Sequence, residues 1–338
     1  MMSLTDTNVA SKSVFNYYIE IYRFMLMLWI VLIHYAARYP ELGLDKIFYF
    51  PFTFENERGT RVSLFFMVSG FFMAKALMKN DSGFCVYGQY ATKRYLRLWI
   101  PYAIACIFIY IWLEFLPVEG RTVDFTTLIA NVACIIHPGF ERVDNEYWFL
   151  ADLLTVQLIL GLFLFIKNDR SRKLFVNILF VIVMVAQVIT PPVLSGFSKE
   201  LFEVLLGVQL CMMEKYKDIR SVFLFVIGLM VVCFNSIELF VGVLLFLLLV
   251  YWGKKVPPSN QNLQHFLKYA GSISFYWYLV HQNIGYSIMY YIIPNGSTNE
   301  FWLLVPMGVT LFLFAPLVYL LDKKFSKLLF DRIPFLKK

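Results

Sequence analysis

FNYYIEIYRFMLMLWIVLIHYAAR, from Phe15 to Arg38, is an apolar segment that carries Arg23 and His34 inside it. Its length and composition predict a membrane-spanning helix. An ionisable residue inside such a helix is costly enough to be a functional hypothesis in itself. At about 100° and about 1.5 Å per residue, Arg23 and His34 lie on one face of the helix, roughly 16 Å apart. The two side chains therefore face the same neighbours at two depths.

The composition of the whole chain is typical of a membrane protein. The chain has 338 residues, of which 59% are hydrophobic and 16% are charged, whereas a soluble domain carries about 25% charged residues. The formal net charge of +7 fits basic loops that orient a membrane protein, and no basic patch suggests nucleic-acid binding. We therefore expect an all-α, polytopic helix bundle embedded in the lipid bilayer, with no nucleic-acid partner.

Hydropathy divides the chain into about ten transmembrane helices. An additional segment at 123–137 is short and is interrupted by Asp124, Asn131 and His137, so it is either interfacial or re-entrant. The strong segments lie at about 16–37, 61–79, 98–116, 147–167, 174–192, 199–214, 219–235, 237–252, 266–292 and 301–321.

Basic residues indicate how these segments are oriented. Lys and Arg concentrate in alternate connections, and the positive-inside rule then places both termini in the cytoplasm. The loop at 38–61, with four basic and four acidic residues on the predicted outer side, is an exception. The basic connections are 75–97, 167–173, 215–220, 254–268 and 323–338.

No linker or internal repeat divides the chain into separate domains. We predict one membrane-embedded domain over 1–338, with short cytoplasmic tails at 1–14 and 322–338. The N-terminus lacks a signal-peptide cleavage pattern, so the first helix should be retained. The five cysteines have neither disulfide nor metal-ligand spacing. We expect them to be small buried hydrophobic residues, and we predict no metal site.

The first helix leaves two interpretations open. Arg23 either extends to the inner interface or serves a functional site, and Glu20 lies three residues earlier on the same face as a partner. His34 is either a packed core histidine or a catalytic base, and the helix alone does not favour one of these.

A second candidate is KRYLRLWIPY, from Lys93 to Tyr102, which places Arg94 and Arg97 one helical turn apart. Positive-inside anchoring at the start of a helix explains basic residues here. The functional alternative is a phosphate clamp to which Lys93 also contributes, because planar arginine side chains suit phosphate oxygens.

A third candidate is GSISFYWYLVHQNIG, from Gly271 to Gly285. Helical spacing puts Ser274, Tyr278 and His281 on one stripe, which close helix packing explains. His281 lies near the middle of its segment, so we expect it to face the bundle interior or a wet cavity.

Weaker candidates are single polar residues in apolar segments. Ser69, in LFFMVSGFF, is mainly a packing residue. Glu203 lies inside a short span and is costly unless an Arg or His pairs with it. Glu146 and Asp152 lie at the start of a helix, where the helix dipole favours acidic residues.

Taken in order, these motifs closely resemble those of acyltransferase family 3, a family of integral membrane acyltransferases. Each motif is weak alone, but their order and spacing cover nearly the whole chain. The motifs are Arg23 followed by ten residues and His34, FFMVSGF at 65–71, RYLR at 94–97, YWFL at 147–150, FEVLLG at 202–207 and YLVH at 278–281.

The resemblance implies transfer of an acyl group, usually acetyl, from cytoplasmic acyl-CoA to a hydroxyl of a cell-surface carbohydrate or lipid-linked glycan. It also implies that His34 is the catalytic histidine, that Arg23 is its motif partner, and that Arg94 and Arg97 lie near the donor. Acyl-CoA is then a donor substrate, with no permanently bound cofactor. The expected location is the inner (plasma) membrane, as a multi-pass protein.

The residues suit this chemistry. Neutral imidazole near pH 7 makes His34 a suitable general base. No Ser or Cys lies beside a base in the sequence, so direct transfer is favoured over a covalent acyl-enzyme, although an acyl-histidine stays open. The alternative function is a transporter or flippase of an anionic or lipid-linked substrate, in which buried Arg and His bind substrate or relay protons.

Overall fold

The computed structural model describes residues 16–37, 59–78, 82–136, 141–189, 197–256, 258–294, 300–333 and 335. The predicted tail at 1–14, most of the loop at 38–61, and His137 lie outside these ranges. Within them, every regular element is a helix, so the all-α prediction is confirmed.

The described residues form twelve α-helices, joined in places by short 3₁₀ or π turns. Each predicted hydrophobic segment coincides with a helix, except that the segments at 147–167 and 301–321 each coincide with several successive helical pieces. The helices are α1 Tyr17–Ala37, α2 Thr60–Leu77, α3 Phe84–Phe115, α4 Phe125–Ala133, α5 Trp148–Gly161, α6 Asp169–Ile189, α7 Phe197–Tyr216, α8 Ile219–Asn235, α9 Ile237–Lys255, α10 Gln261–Ile292, α11 Leu304–Val309 and α12 Ala315–Arg332.

Six helical stretches among the described residues are long and apolar enough to cross a membrane. Two shorter apolar helices lie at Ile219–Asn235 and Ile237–Gly253. Many large apolar side chains remain exposed on the helices, which is the surface expected to contact lipid. The six stretches are Tyr17–Ala36, Thr60–Leu77, Phe84–Phe115, Asn145–Phe165, Asp169–Ile189 and Phe301–Arg332.

Helix α3 begins at Phe84, well before the predicted boundary near 98. Its first turns are too polar to be found by hydropathy, but they pack on α5, where the Tyr90 hydroxyl donates to the Gln157 carbonyl oxygen at 3.2 Å. Arg94 and Arg97 therefore lie inside a continuous helix, and their position at the cytoplasmic entrance of the membrane span stays a prediction.

The last helix also extends beyond its predicted end. Helix α12 continues to Arg332, so most of the predicted tail at 322–338 is helical. The Tyr276 hydroxyl on α10 donates to Asp322 Oδ2 at 2.6 Å, and Asp322 Oδ1 accepts from the Ser326 hydroxyl at 2.7 Å. These polar contacts extend α12 past the apolar part of its sequence.

The segment at 123–137 forms α4, a helix of nine residues. Such a helix is about 13 Å long, whereas the hydrocarbon layer is about 30 Å thick, so α4 is too short to cross it. Asp124 caps the helix by accepting from the Thr127 backbone N–H at 2.6 Å.

Helices α2 and α7 pack with their backbones in direct contact. A Cβ atom on Gly70 would lie 1.9 Å from the Val204 carbonyl oxygen, and one on Gly207 would lie 1.9 Å from the Met67 carbonyl oxygen. Small residues allow this close approach. The glycines of the SGF and LLG motifs therefore act in packing.

Helices α1 and α10 approach each other through two more glycines. A Cβ atom on Gly271 would lie 2.0 Å from Glu20 Oε2, and one on Gly285 would lie 2.0 Å from the Tyr35 hydroxyl oxygen. The small residues of the third motif thus allow α1 to pack against α10. This contact places His34 opposite His281.

The cysteines are divided between the interior and the surface. Cys106 and Cys211 are buried, as expected, whereas Cys85 and Cys233 are exposed and Cys134 is half-buried. The expectation of burial is therefore wrong for the exposed pair, because an apolar helix can turn small side chains outward as well as into the core.

Candidate functional site

His34 of α1 and His281 of α10 form a hydrogen-bonded pair. His34 Nδ1 lies 2.9 Å from His281 Nε2, and the ring centroids are 5.1 Å apart in a stacked arrangement. His281 is fully buried, while 13% of the His34 side chain is exposed. The helix packing thus joins two titratable rings, only one of which is partly exposed.

The hydrogen-bond partners decide which ring nitrogens carry protons. His281 Nδ1 lies 2.8 Å from the Tyr278 carbonyl oxygen, and a carbonyl oxygen can only accept, so Nδ1 is the protonated nitrogen. In the neutral ring, His281 Nε2 is then an acceptor, and His34 Nδ1–H donates to it. Neutral His34 is left with a lone pair on Nε2.

Tyrosine hydroxyls hold the backbone on both sides of this pair. The Tyr35 hydroxyl donates to the His281 carbonyl oxygen at 2.7 Å, and the Tyr286 hydroxyl donates to the His34 carbonyl oxygen at 3.3 Å. Such supporting contacts keep a site in one geometry.

Glu146 completes the group around the histidines. Its Oε1 atom lies 3.7 Å from His34 Nε2, and it accepts from Gln282 Nε2 at 3.2 Å. The Tyr278 hydroxyl donates to the Glu146 backbone carbonyl oxygen. This position of Glu146 was not predicted, because the helix dipole alone accounts for an acidic residue at the start of a helix. The available signal in the sequence was its place directly before YWFL.

Helix α4 anchors the segment that leads to Glu146. Asn131 is fully buried, donates through Nδ2 to the Glu141 carbonyl oxygen at 2.9 Å, and accepts at Oδ1 from the Val143 backbone N–H at 3.2 Å. One side chain thereby holds two positions of the irregular segment that precedes Glu146. Asn131, one of the polar residues that make 123–137 a poor membrane span, thus positions the segment that carries Glu146.

Asp144 connects this segment to α10. It lies just before the candidate span Asn145–Phe165 and accepts from the backbone N–H groups of Glu146 at 3.0 Å and Asn283 at 3.3 Å. Burial raises the pKa of Asp144 to about 7, although these two donors oppose the rise. Its protonation state is therefore sensitive to pH near neutrality.

A cavity of about 410 Å³ opens between α1, α2, α3, α5 and α10. That volume is in the range of small-molecule sites. Its walls are mainly apolar, with aromatic side chains such as Phe65, Phe149 and Phe275. The polar side chains that line it are Arg23, Ser69, Arg94, Arg97, Glu146, Gln157, Ser274 and Tyr278.

The arginines and Glu146 line different depths of this cavity. Arg94 lies over the Tyr90 ring at 5.4 Å, and Tyr90 bonds to the backbone of Gln157. Gln157 follows Glu146 by eleven residues along a helical segment, or about 16 Å. The cavity therefore has a cationic end and an end lined by Glu146, which lies beside His34.

Arg23 belongs to the cationic end. Its Nη1 atom lies 3.0 Å from Glu20 Oε2, as the spacing predicts, and 27% of its side chain is exposed. Since Arg23 precedes His34 by three turns on α1, it is about 16 Å from the level of the histidine pair.

Not all of the predicted site residues line the cavity. Glu203 is buried in α7, and Lys93 is half-buried on α3; neither lines the cavity. His34 does not line the cavity itself, but it lies beside Glu146, which does, and His281 lies behind His34. The predicted residues that line the cavity are Arg23, Ser69, Arg94, Arg97 and Tyr278.

Comparison with known proteins gives one match. The model of an acyltransferase family, acyltransferase 3, described as an acyltransferase domain, matches residues 16–321. The searches of curated proteins and of solved structures gave no match.

Asp144→Asn should make the stability of the protein less dependent on pH. The pKa of Asp144 is raised from 3.8 to about 7, so its protonated form favours the folded state. That contribution is complete below about pH 4 and is lost as the pH rises through about 7. The melting temperature in detergent should therefore fall less in the variant than in the wild type between about pH 4 and about pH 8.

The exposed Asp331 provides the control for this measurement. Asp331→Asn should retain the wild-type pH dependence. If Asp144→Asn also retains it, Asp144 does not titrate in this range.

Proposed function

Because this chain belongs to acyltransferase family 3, as the match over residues 16–321 shows, we propose that it is a membrane O-acyltransferase. It transfers an acyl group, which we take to be acetyl, from acyl-CoA to a hydroxyl of a carbohydrate acceptor. The donor is cytoplasmic and the acceptor is an extracytoplasmic polysaccharide or glycolipid. The observation that carries this proposal is a cavity lined by arginines at one depth and by Glu146 at the other, with His34 Nε2 3.7 Å from Glu146 Oε1.

The cationic end of the cavity suits the donor. Coenzyme A carries several negative charges, and arginine side chains bind phosphate oxygens with charge-assisted hydrogen bonds. Arg97 is exposed and Arg94 is half-buried, so the pair can bind phosphates at the mouth while the thin pantetheine arm extends past Arg23. Lys93, next in sequence, adds positive charge outside the cavity.

The distance between the two ends suits a reaction between a donor and an acceptor from opposite sides. About 16 Å separates the level of Arg23 from that of His34, which an extended pantetheine arm can cover. With both termini cytoplasmic and about ten spans in the inner membrane, Arg23 lies toward the cytoplasm and His34 toward the outside. The two substrates then meet beside His34.

The reaction needs one base, and His34 Nε2 has the required lone pair. His34 takes the proton of the acceptor hydroxyl as that oxygen attacks the thioester carbonyl carbon. The C–O bond forms, the C–S bond breaks, and the thiolate leaves and takes the proton from His34. The Glu146 carboxylate, 3.7 Å away, stabilises the transient imidazolium.

His281 acts through His34 as a positioning residue. By accepting from His34 Nδ1–H at 2.9 Å, it keeps the lone pair of neutral His34 on Nε2, the atom beside Glu146. Without that bond, the proton could move to Nε2 and remove the base from the acceptor side.

A transporter or flippase is the alternative function. Incubating purified protein with labelled acetyl-CoA and a carbohydrate acceptor distinguishes this function from acyl transfer. An acyltransferase cleaves the thioester and labels the carbohydrate, whereas a transporter does neither. The family match supports the acyltransferase.

His34→Ala should leave the protein in the membrane but remove carbohydrate acylation. Loss of a general base lowers the rate by about 10²- to 10⁴-fold, measured as transfer of label from acetyl-CoA. His265→Ala, which removes an exposed histidine of α10, is the matched control. Transfer by His34→Ala near the wild-type rate would exclude His34 as the base.

His281→Ala should lower kcat by about 10- to 100-fold, the effect seen when the partner that orients a metal-binding histidine is removed, and should alter the pH profile. His281→Gln retains an acceptor for His34 Nδ1–H and should recover part of the rate. Equal loss in both variants, with an unchanged pH profile, would show that His281 serves packing alone.

Combined Arg94→Ala and Arg97→Ala substitution should raise the KM for acetyl-CoA by about 10- to 100-fold, because hydrogen bonds to charged groups are lost. Membrane insertion should change little. Arg170→Ala with Arg332→Ala removes the same charge from two exposed positions and is the control. An unchanged KM in the cavity variant would assign Arg94 and Arg97 to membrane orientation alone.

A further inference from the structure

Gln157 of α5 places a buried amide in the wall of the cavity. Its side chain lines the cavity, and only 5% of the residue is exposed. Among the described residues, its side-chain oxygen Oε1 has no hydrogen-bond partner. A buried acceptor without a donor costs free energy, so a ligand that supplies the donor gains affinity at this position.

Two hydroxyls of the cavity wall are already used within the protein. The Ser274 hydroxyl donates to the Gly271 carbonyl oxygen at 2.8 Å, and the Tyr278 hydroxyl donates to the Glu146 carbonyl oxygen. A hydroxyl has one hydrogen to donate. These two side chains therefore do not supply the donor that Gln157 Oε1 lacks.

Helix α5 and the turn before it present one face to the cavity. Glu146, Phe149, Leu153 and Gln157 are three or four residues apart and all line it, as helical spacing requires. Phe149 and Leu153 are apolar, so Gln157 is the next polar side chain on this face after Glu146. About 16 Å of helix separates the two, which places Gln157 away from the reacting end.

Tyr90 connects Gln157 to the arginines of the cationic end. The Tyr90 hydroxyl donates to the Gln157 backbone carbonyl oxygen at 3.2 Å, and the Arg94 guanidinium lies over the Tyr90 ring at 5.4 Å. Arg94 also lines the cavity. The unpaired amide oxygen therefore lies beside the position at which the donor phosphates are proposed to bind.

The pantetheine arm of coenzyme A carries two amide N–H groups. An extended chain advances about 1.2 Å per bond, so the first amide nitrogen lies about 6 Å from the phosphate oxygen and the second about 11 Å. A buried N–H group is costly unless it meets an acceptor. With the phosphates at Arg94, the amide nearer the phosphates falls at the level of Gln157.

We propose that Gln157 binds the donor by accepting a hydrogen bond from the pantetheine amide N–H nearer the phosphates. This inference rests on the proposed acyl transfer from acyl-CoA. Oε1 itself is covered by neighbouring atoms, but the last torsion of a glutamine side chain is soft, and rotation about it turns the oxygen toward the cavity. Gln157 then fixes the depth of the arm, with the thioester directed to the end lined by Glu146.

Binding of unacylated CoA to the purified protein, measured by isothermal titration calorimetry, tests this inference without an acceptor. CoA is compared with two analogues in which one amide N–H is replaced by a methylene group. The near-amide analogue is changed at the amide nearer the phosphates, and the far-amide analogue at the other. The wild-type Kd should be about 10-fold higher for the near-amide analogue than for CoA, because Gln157 Oε1 is left without a donor.

Gln157→Met removes the side-chain amide and keeps its length. This variant should bind CoA about 10-fold more weakly than the wild type does, and it should bind CoA and the near-amide analogue equally. The far-amide analogue should lose the same factor in Kd in the variant as in the wild type. Melting temperatures in detergent show whether the variant is folded.

Gln209→Met is the matched control. Gln209 is also buried, and its Oε1 has no partner among the described residues, but it does not line the cavity. Its substitution should leave the Kd for CoA and the discrimination between the analogues unchanged.

Two results would overturn the role of Gln157 and leave acyl transfer intact. One is equal wild-type affinity for CoA and the near-amide analogue, which is the result expected if Gln157 bonds only to water. The other is undiminished discrimination by Gln157→Met. Failure of the wild type to bind CoA at all would instead contradict the proposed function.

Discussion

The hydrogen bond between His34 and His281 is the interaction on which the site depends. Polar groups within apolar helices have little water to bond with, so they must bond to one another. Here Gly271 and Gly285 bring α10 close to α1. The resulting hydrogen bond from His34 Nδ1–H to His281 Nε2 leaves the lone pair of neutral His34 on Nε2, on the side of Glu146. The packing of α1 against α10 thereby determines the tautomer of neutral His34, and the tautomer determines which ring nitrogen can accept a proton.

The cavity separates two kinds of chemistry along the depth of the bundle. Arginines at one level suit anionic groups, and histidine with carboxylate at the other suits hydroxyl groups. The walls between them are mainly apolar and aromatic, and in the proposed reaction such walls limit hydrolysis of the thioester by water. The long helices α3 and α10 connect these two levels as rigid elements.

Sequence patterns identified individual residues better than they identified relations between residues. Arg23 and its partner Glu20 follow from helical spacing, which is local. The start of α3, and with it the place of Arg94 inside the helix, does not follow from local spacing or hydropathy. Hydropathy detects only apolar residues, whereas the polar first turns of α3 are held on α5 by the Tyr90 contact. Glu146 was attributed to a helix dipole because its contact with His34 joins residues more than a hundred positions apart.

The sequence by itself determined that this is an all-helical membrane protein of acyltransferase family 3, because apolar length, charge and motif order are properties of the linear chain. It also indicated His34 and His281 as costly residues in apolar segments. Only the tertiary structure decided that they bond to each other, that Glu146 joins them, and that Glu203 does not. Those outcomes depend on which helix faces pack together, and the glycine contacts that set the packing act between segments distant in sequence.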